Sequence, residues 1–72
     1  MKRYKYVGTF ISAEGNMHEN FVYCNGLIQA IILLTAKAIE EGKHYQLNTI
    51  IDEKGSISYI DDILRVGELV KN

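Results

Sequence analysis

Thr9-Phe10-Ile11-Ser12-Ala13-Glu14-Gly15 is echoed forty positions later by Thr49-Ile50-Ile51-Asp52-Glu53-Lys54-Gly55. In both stretches an apolar, β-rich run meets a polar turn that closes on glycine. Such a turn folds a chain back on itself, because glycine takes positive φ at little cost. More β-type sequence follows each copy, and then a helical pattern. The order predicted is strand, strand, helix, stated twice: a single α+β domain over 1–72, ββαββα, with 1–42 and 43–72 as a pseudo-repeat.

Working outward from the first copy, Lys2 to Ser12 reads as a strand with Tyr4, Tyr6 and Phe10 on one face and Arg3, Lys5, Val7, Thr9 and Ile11 on the other. Ala13 to Asn16 is the turn. Met17 to Cys24 returns, and the aromatic pair Phe21 and Tyr23 is expected toward the core, with Val22 and Cys24 opposite. Asn25 is a plausible helix N-cap, and the helix runs to about Glu41, stopping at Gly42. At 100° per residue, Leu34, Leu27, Ala38, Ile31, Thr35, Ile28, Ile39 and Ile32 form one arc, wider than the ~100° stripe a surface helix needs. Gln29, Lys37, Glu40 and Glu41 mark its solvent side, with Leu33 out of place among them.

From the second copy, Tyr45, Leu47, Thr49 and Ile51 alternate with Gln46, Asn48 and Ile50. Asp52 to Gly55 is a type I turn with a glycine bulge, and Ser56 to Ile60 pairs back with Ile57 and Tyr59 on the Leu47 face. A short helix from Asp62 to about Val70 completes the chain. The expectation is a four-stranded antiparallel sheet with the long helix across one face.

Seventy-two residues bury one small core, and a core of this size supplies only about 3–5 kcal/mol. One cysteine, Cys24, forms no internal disulfide, and no Cys/His cluster has zinc-ligand spacing. Association is the expected remedy, so a homo-oligomer is expected. A lone thiol and no signal peptide fit the cytoplasm. The longest apolar run, Ile28 to Leu34, is far short of the ~20 residues of a membrane span. A net charge of −1, with both signs dispersed, argues against nucleic acid as a partner.

Chemistry-bearing residues are sparse. His18, His44 and Cys24 stand apart, and the neighbours Asp61 and Asp62 point to different sides, so no catalytic residues, metal ligands or cofactor are expected. Five of the seven aromatics are tyrosine. With Lys2, Arg3 and Lys5 beside Tyr4 and Tyr6, the first strand is a candidate ligand or phosphate site, provided an edge or subunit seam unites its two faces. The open sheet face and the helix rim are the candidate interface: Val7, Ile11, Val22, Ile50 and Ile60, together with Leu33.

The whole chain resembles in style the small accessory proteins of phages of AT-rich bacteria. The passage Phe21-Val22-Tyr23-Cys24-Asn25-Gly26-Leu27-Ile28, leading from strand to helix, resembles in element order the uracil-DNA glycosylase inhibitors of phi29-like phages. This chain is longer by a hairpin and less acidic. The resemblance implies a non-catalytic, oligomeric antagonist of a host protein or an anti-phage defence pathway, acting in the host cytosol. The alternatives are a sponge that holds a nucleotide immune signal at subunit interfaces and a nucleic-acid-binding regulator.

Overall fold

Tyr4–Ser12 carries β-branched and aromatic residues at alternate positions and forms β1; Met17–Cys24 forms β2. The long helix α1 spans Leu27–Glu40, β3 spans Tyr45–Ile51 and β4 spans Ile57–Tyr59. This computed structural model describes residues 3–63. Helical conformation begins again at Ile60, and Ile63 is the last described residue, so all of the expected C-terminal helix but Asp62 and Ile63, and Lys2, lie outside the described residues. The strands form one antiparallel sheet in the order β2-β1-β3-β4, with α1 packed on one face. The α+β class and four-stranded sheet are as the sequence predicts.

The two turns are conformationally the same object. Gly15 sits at φ +87° and Gly55 at φ +86°. Gly15 N–H donates to the Ser12 carbonyl at 3.0 Å and Gly55 N–H to that of Asp52 at 3.1 Å. The Ser12 hydroxyl accepts the N–H of Asn16, and the Asp52 carboxylate accepts those of Lys54 and Ser56. A turn closed in this way pairs Ser12 with Asn16 and Asp52 with Ser56 through N–H to carbonyl bonds of 2.9 and 3.1 Å.

That closure fixes which side chains share a face. Tyr6 lies opposite Val22, Gly8 opposite Asn20 and Phe10 opposite His18. Directly opposed residues point the same way, so the even-numbered side chains of β2 join Tyr6 and Phe10 beneath the helix. Val22 and Cys24 are buried, whereas Phe21 and Tyr23 are 45% and 54% exposed. The expected facing of β2 is therefore reversed.

A β-bulge makes the second correction. Between Thr9 and Phe10 the β1–β3 register slips by one, leaving Asn48 without an opposite number. On one side of the slip Gly8 faces Ile50; on the other Phe10 faces Leu47 and Ser12 faces Tyr45. Tyr45, Leu47 and Ile50 all point at the helix, and Ile51 turns away beside Val7. Ile57 pairs with Ile51 and Tyr59 with Thr49, so both lie on the face away from α1, not beside Leu47.

The core comprises Phe10, Val22, Cys24, Ala30, Leu34, Ala38, Ile50 and Ile60, flanked by Tyr6, Leu27, Ile31, Tyr45, Leu47 and Ile63. Helix and sheet approach closely at Gly8. A Cβ there would lie 2.7 Å from Leu34 Cδ1 and 2.9 Å from Leu47 Cδ1. The helix buries only Ala30, Leu34 and Ala38, with Leu27 and Ile31 half-buried. That is the ordinary ~100° stripe. Ile28, Ile32 and Ile39, expected inside the arc, are 62%, 60% and 72% exposed.

Gly26 takes the N-cap position, with no side-chain cap, in place of the expected Asn25. The Gln29 side chain reaches back instead, accepting the Asn25 N–H at 3.0 Å. At the other end Lys43 N–H bonds the Ala38 carbonyl and Gly42 N–H that of Ile39, a Schellman closure with Gly42 at C′ as predicted.

Candidate binding surface

The face of the sheet away from α1 is built by the corrected facing. One row crosses all four strands: Phe21 on β2, Val7 on β1, Ile51 on β3 and Ile57 on β4. Beside it run Glu19, Thr9, Thr49 and Tyr59, and then Met17, Ile11 and Gln46. On the other flank lie Tyr23 and Lys5. Thr9 is buried although no described element covers this face, because its neighbours close over it. Phe21, Tyr23, Ile57, Tyr59 and Met17 are between 45% and 65% exposed. The Lys5 ammonium stands 4.7 Å from the centre of the Phe21 ring, and the Tyr23 ring meets that ring edge-on at 5.8 Å. Cation and aromatics thus hold one another in place on the surface.

A second apolar stripe lies on the outside of α1. Ile28, Ile32, Thr35 and Ile39 are spaced four, three and four residues apart, the spacing of a helix-packing seam. All four are exposed.

On the flank of α1 away from that stripe lies the outer edge of β2. The Phe21 carbonyl accepts from Lys37 Nζ at 2.9 Å, and the Phe21 N–H donates to Asn20 Oδ1 at 2.8 Å. Both groups would otherwise be open to a further strand, and side chains occupy them. A groove of about 420 Å³ runs along this edge, lined by Arg3, Tyr23, Leu33, Ala36, Lys37 and Glu40 among others.

The sequence-derived candidates separate accordingly. Val7 and Ile11 are half-buried on the open face, and Leu33, 37% exposed, lines the edge groove; these three occupy the expected surfaces. Val22, Ile50 and Ile60 do not: they are 6%, 1% and 9% exposed in the core beneath the helix, because the turn closure and the bulge turn them inward. Their places are taken by Phe21, Ile51, Ile57 and Tyr59, which pairing Ser12 with Asn16 would have found for β2.

The basic–aromatic strand does not converge either. Tyr4 and Tyr6 line a cleft of about 260 Å³ with Asp52, Glu53 and Lys54, while Lys5 projects from the opposite face and Arg3 lines the edge groove. The Lys5 N–H is held by Glu53 Oε1 at 2.7 Å, which places that carboxylate near the tyrosines. Partial burial, then Cys24, Asp52, Tyr4 and Glu53, push the Tyr6 phenol above its ordinary pKa. A phosphate in that cleft would meet two carboxylates.

His18 stacks on Tyr45, with ring centres 4.1 Å apart and planes 13° from parallel, closing over β1. His44 and Asp61 line a cleft of about 410 Å³ with Gln46 and Asn48, beside the bulge. Among the described residues no three His, Cys, Asp or Glu side chains come together as a metal site, and no helix is long and apolar enough to cross a membrane. A scan against protein-family models, a search of curated proteins and a search of solved structures each returned no match.

Proposed function

We propose that this chain is a small, non-enzymatic binding protein that self-associates and acts as a phage-type antagonist, occupying a host protein or a component of an anti-phage defence pathway in the cytosol. One observation carries the binding reading. Among the described residues ten large apolar side chains are exposed, against eight apolar residues in the core. They are not scattered singly, as on an ordinary surface. Eight of them lie on two surfaces, Met17, Phe21, Tyr23, Ile57 and Tyr59 on the open sheet face and Ile28, Ile32 and Ile39 along the helix, which is how contact surfaces are built. The antagonist part of the reading comes from the resemblance in style to phage accessory proteins.

The outer helix stripe is the surface offered to the target. Its 4-3-4 spacing fits an amphipathic helix of a partner laid alongside α1. The chain expressed in a bacterial host and recovered under gentle conditions should bring with it one stoichiometric protein. Ile32→Glu should abolish that recovery while leaving the melting temperature within a few degrees, since Ile32 is 60% exposed. Unchanged recovery by the variant refutes this placement. The nucleotide-sponge alternative fares worse on geometry, because Asp52 and Glu53 line the Tyr4 and Tyr6 cleft. A nucleotide panel that raised the melting temperature by mass action would nevertheless restore it.

A further inference from the structure

We propose that a second copy of this chain covers the open sheet face, packed face to face about a two-fold axis lying along the Phe21–Val7–Ile51–Ile57 row. The inference rests on the self-associating reading above and gives it a geometry.

Three observations select this occupant. The first is the arrangement of charge. The described strand residues of the open face include one cation, Lys5, and one anion, Glu19, and these flank the apolar row on opposite sides. Rotation about the row lays each row residue over its own counterpart. It also exchanges the two flanks, so that Lys5 of one copy comes over Thr9 of the other, one strand spacing (~4.8 Å) from its Glu19. The same contact occurs twice, and a lysine and a glutamate reaching toward each other from the two sides together bridge the gap of ~10 Å between packed sheets. The face is complementary to itself, as an isologous interface must be.

The second observation is size. Four strands at ~4.8 Å spacing and about seven residues at ~3.3 Å rise give on the order of 400 Å² in plan per copy. With the relief of Phe21, Tyr23, Ile57 and Tyr59 added, two copies clear the ~1,000 Å² that a specific interface requires. The third is that edge pairing is obstructed. Lys37 and Asn20 occupy the outward groups of Phe21 in the middle of β2, and β4 has three residues. Self-association through the sheet is thereby directed to its face.

Sedimentation of the intact protein over a dilution series tests the inference. The wild type should be a dimer at about 100 µM, and Phe21→Lys should be a folded monomer by circular dichroism and sedimentation. Lys5→Glu and Glu19→Lys should each weaken the dimer by about tenfold, and the two together should restore it to within about threefold. These two positions are exposed, so both variants fold, and rescue by the pair is an effect that a purely structural role would not produce. A wild-type monomer at that concentration, dimerisation indifferent to Phe21→Lys, or a charge swap that fails to restore association overturns the proposal. Ile32→Glu should leave the dimer intact. Loss of the dimer alongside target capture that still depends on Ile32 would sink the sheet-face inference and keep the binding function. A robust dimer that captures nothing would do the reverse.

Discussion

Gly8→Ala puts a single methyl group where helix meets sheet. The new Cβ would stand 2.7 Å from Leu34 Cδ1, 2.9 Å from Leu47 Cδ1 and 3.4 Å from Leu34 Cδ2. Contacts under 3.0 Å require something to move. Leu47 is half-buried and can swing aside. Leu34 has no exposed surface at all, and rotating its side chain brings one methyl in where the other left. Overpacking of this kind costs about 1–3 kcal/mol. Alanine also stiffens the unfolded chain, which offsets about 0.4–1 kcal/mol. The net expectation is a loss of up to about 2.5 kcal/mol, centred on about 1.5. At fixed protein concentration the urea midpoint should fall by roughly 1–2 M for a domain of this size, since the slope is near 1 kcal/mol/M. A second background sharpens the test. Leu34→Val withdraws the Cδ methyls, so within it Gly8→Ala should cost less than about 0.5 kcal/mol, a positive coupling between neighbours in contact. If Gly8→Ala stabilises the protein, or costs the same in both backgrounds, the close approach of α1 to β1 at Gly8 is wrong.

Gly15→Ala and Gly55→Ala each force alanine to φ near +87° and +86° with no neighbour within 4 Å, so both should lose about 1–2 kcal/mol, and by equal amounts, on chemical denaturation; unequal losses would deny that the two turns are the same object. Lys37→Ala releases the Phe21 carbonyl on the edge of β2, and light scattering during heating should show faster aggregation with little change in the initial fold; an unchanged rate would remove Lys37 from edge protection. For Tyr6 the folded phenol has its pKa raised above 10.0, so the folded state holds that proton more tightly than the unfolded chain. Its contribution is complete below pH 10.0 and is lost as pH climbs through the folded pKa. The urea midpoint of the wild type should therefore fall more steeply above pH 10 than that of Tyr6→Phe, and parallel curves would contradict the shift.

The element order was legible because the punctuation is local. Gly15, Gly42 and Gly55 end their elements where their conformations demand, and β2 spans the residues that alternation predicts. Facing is not local. It depends on which residues close a turn, and a change of one residue exchanges the two faces of a strand. For β2 the information lay in Ser12 and Asn16, but assigning the aromatics Phe21 and Tyr23 to the core took precedence over it. In the second hairpin Ile51, Ile57 and Tyr59 do share a face, as alternation requires. What separates them from Leu47 is the bulge at Asn48, and no glycine or proline announces it. The helix arc failed for a different reason. A sheet of four strands receives only one stripe of a helix laid on it, so an arc wider than ~100° leaves part of itself outside.

That last mismatch bears on function. If the outer isoleucines of α1 were accidents of composition, replacing them singly by polar residues would be nearly neutral for the fold, and it should be: surface changes away from special features fall within about 0.5 kcal/mol. The same holds for Ile57 on the sheet, 53% exposed. Isoleucine at these positions is then not explained by packing among the described residues. Solubility would favour charge at each of these positions, and the chain places lysine and glutamate freely elsewhere, at Lys37, Glu40, Glu41 and Lys43 on and just beyond the same helix. An apolar residue in a place where water disfavours it is what the proposed contact with a second body would cover. The sheet row lies on the face away from α1, and the helix stripe lies on one flank of α1. These are two separate surfaces, and the proposed pairing of a self-contact on one with a target on the other assigns one body to each.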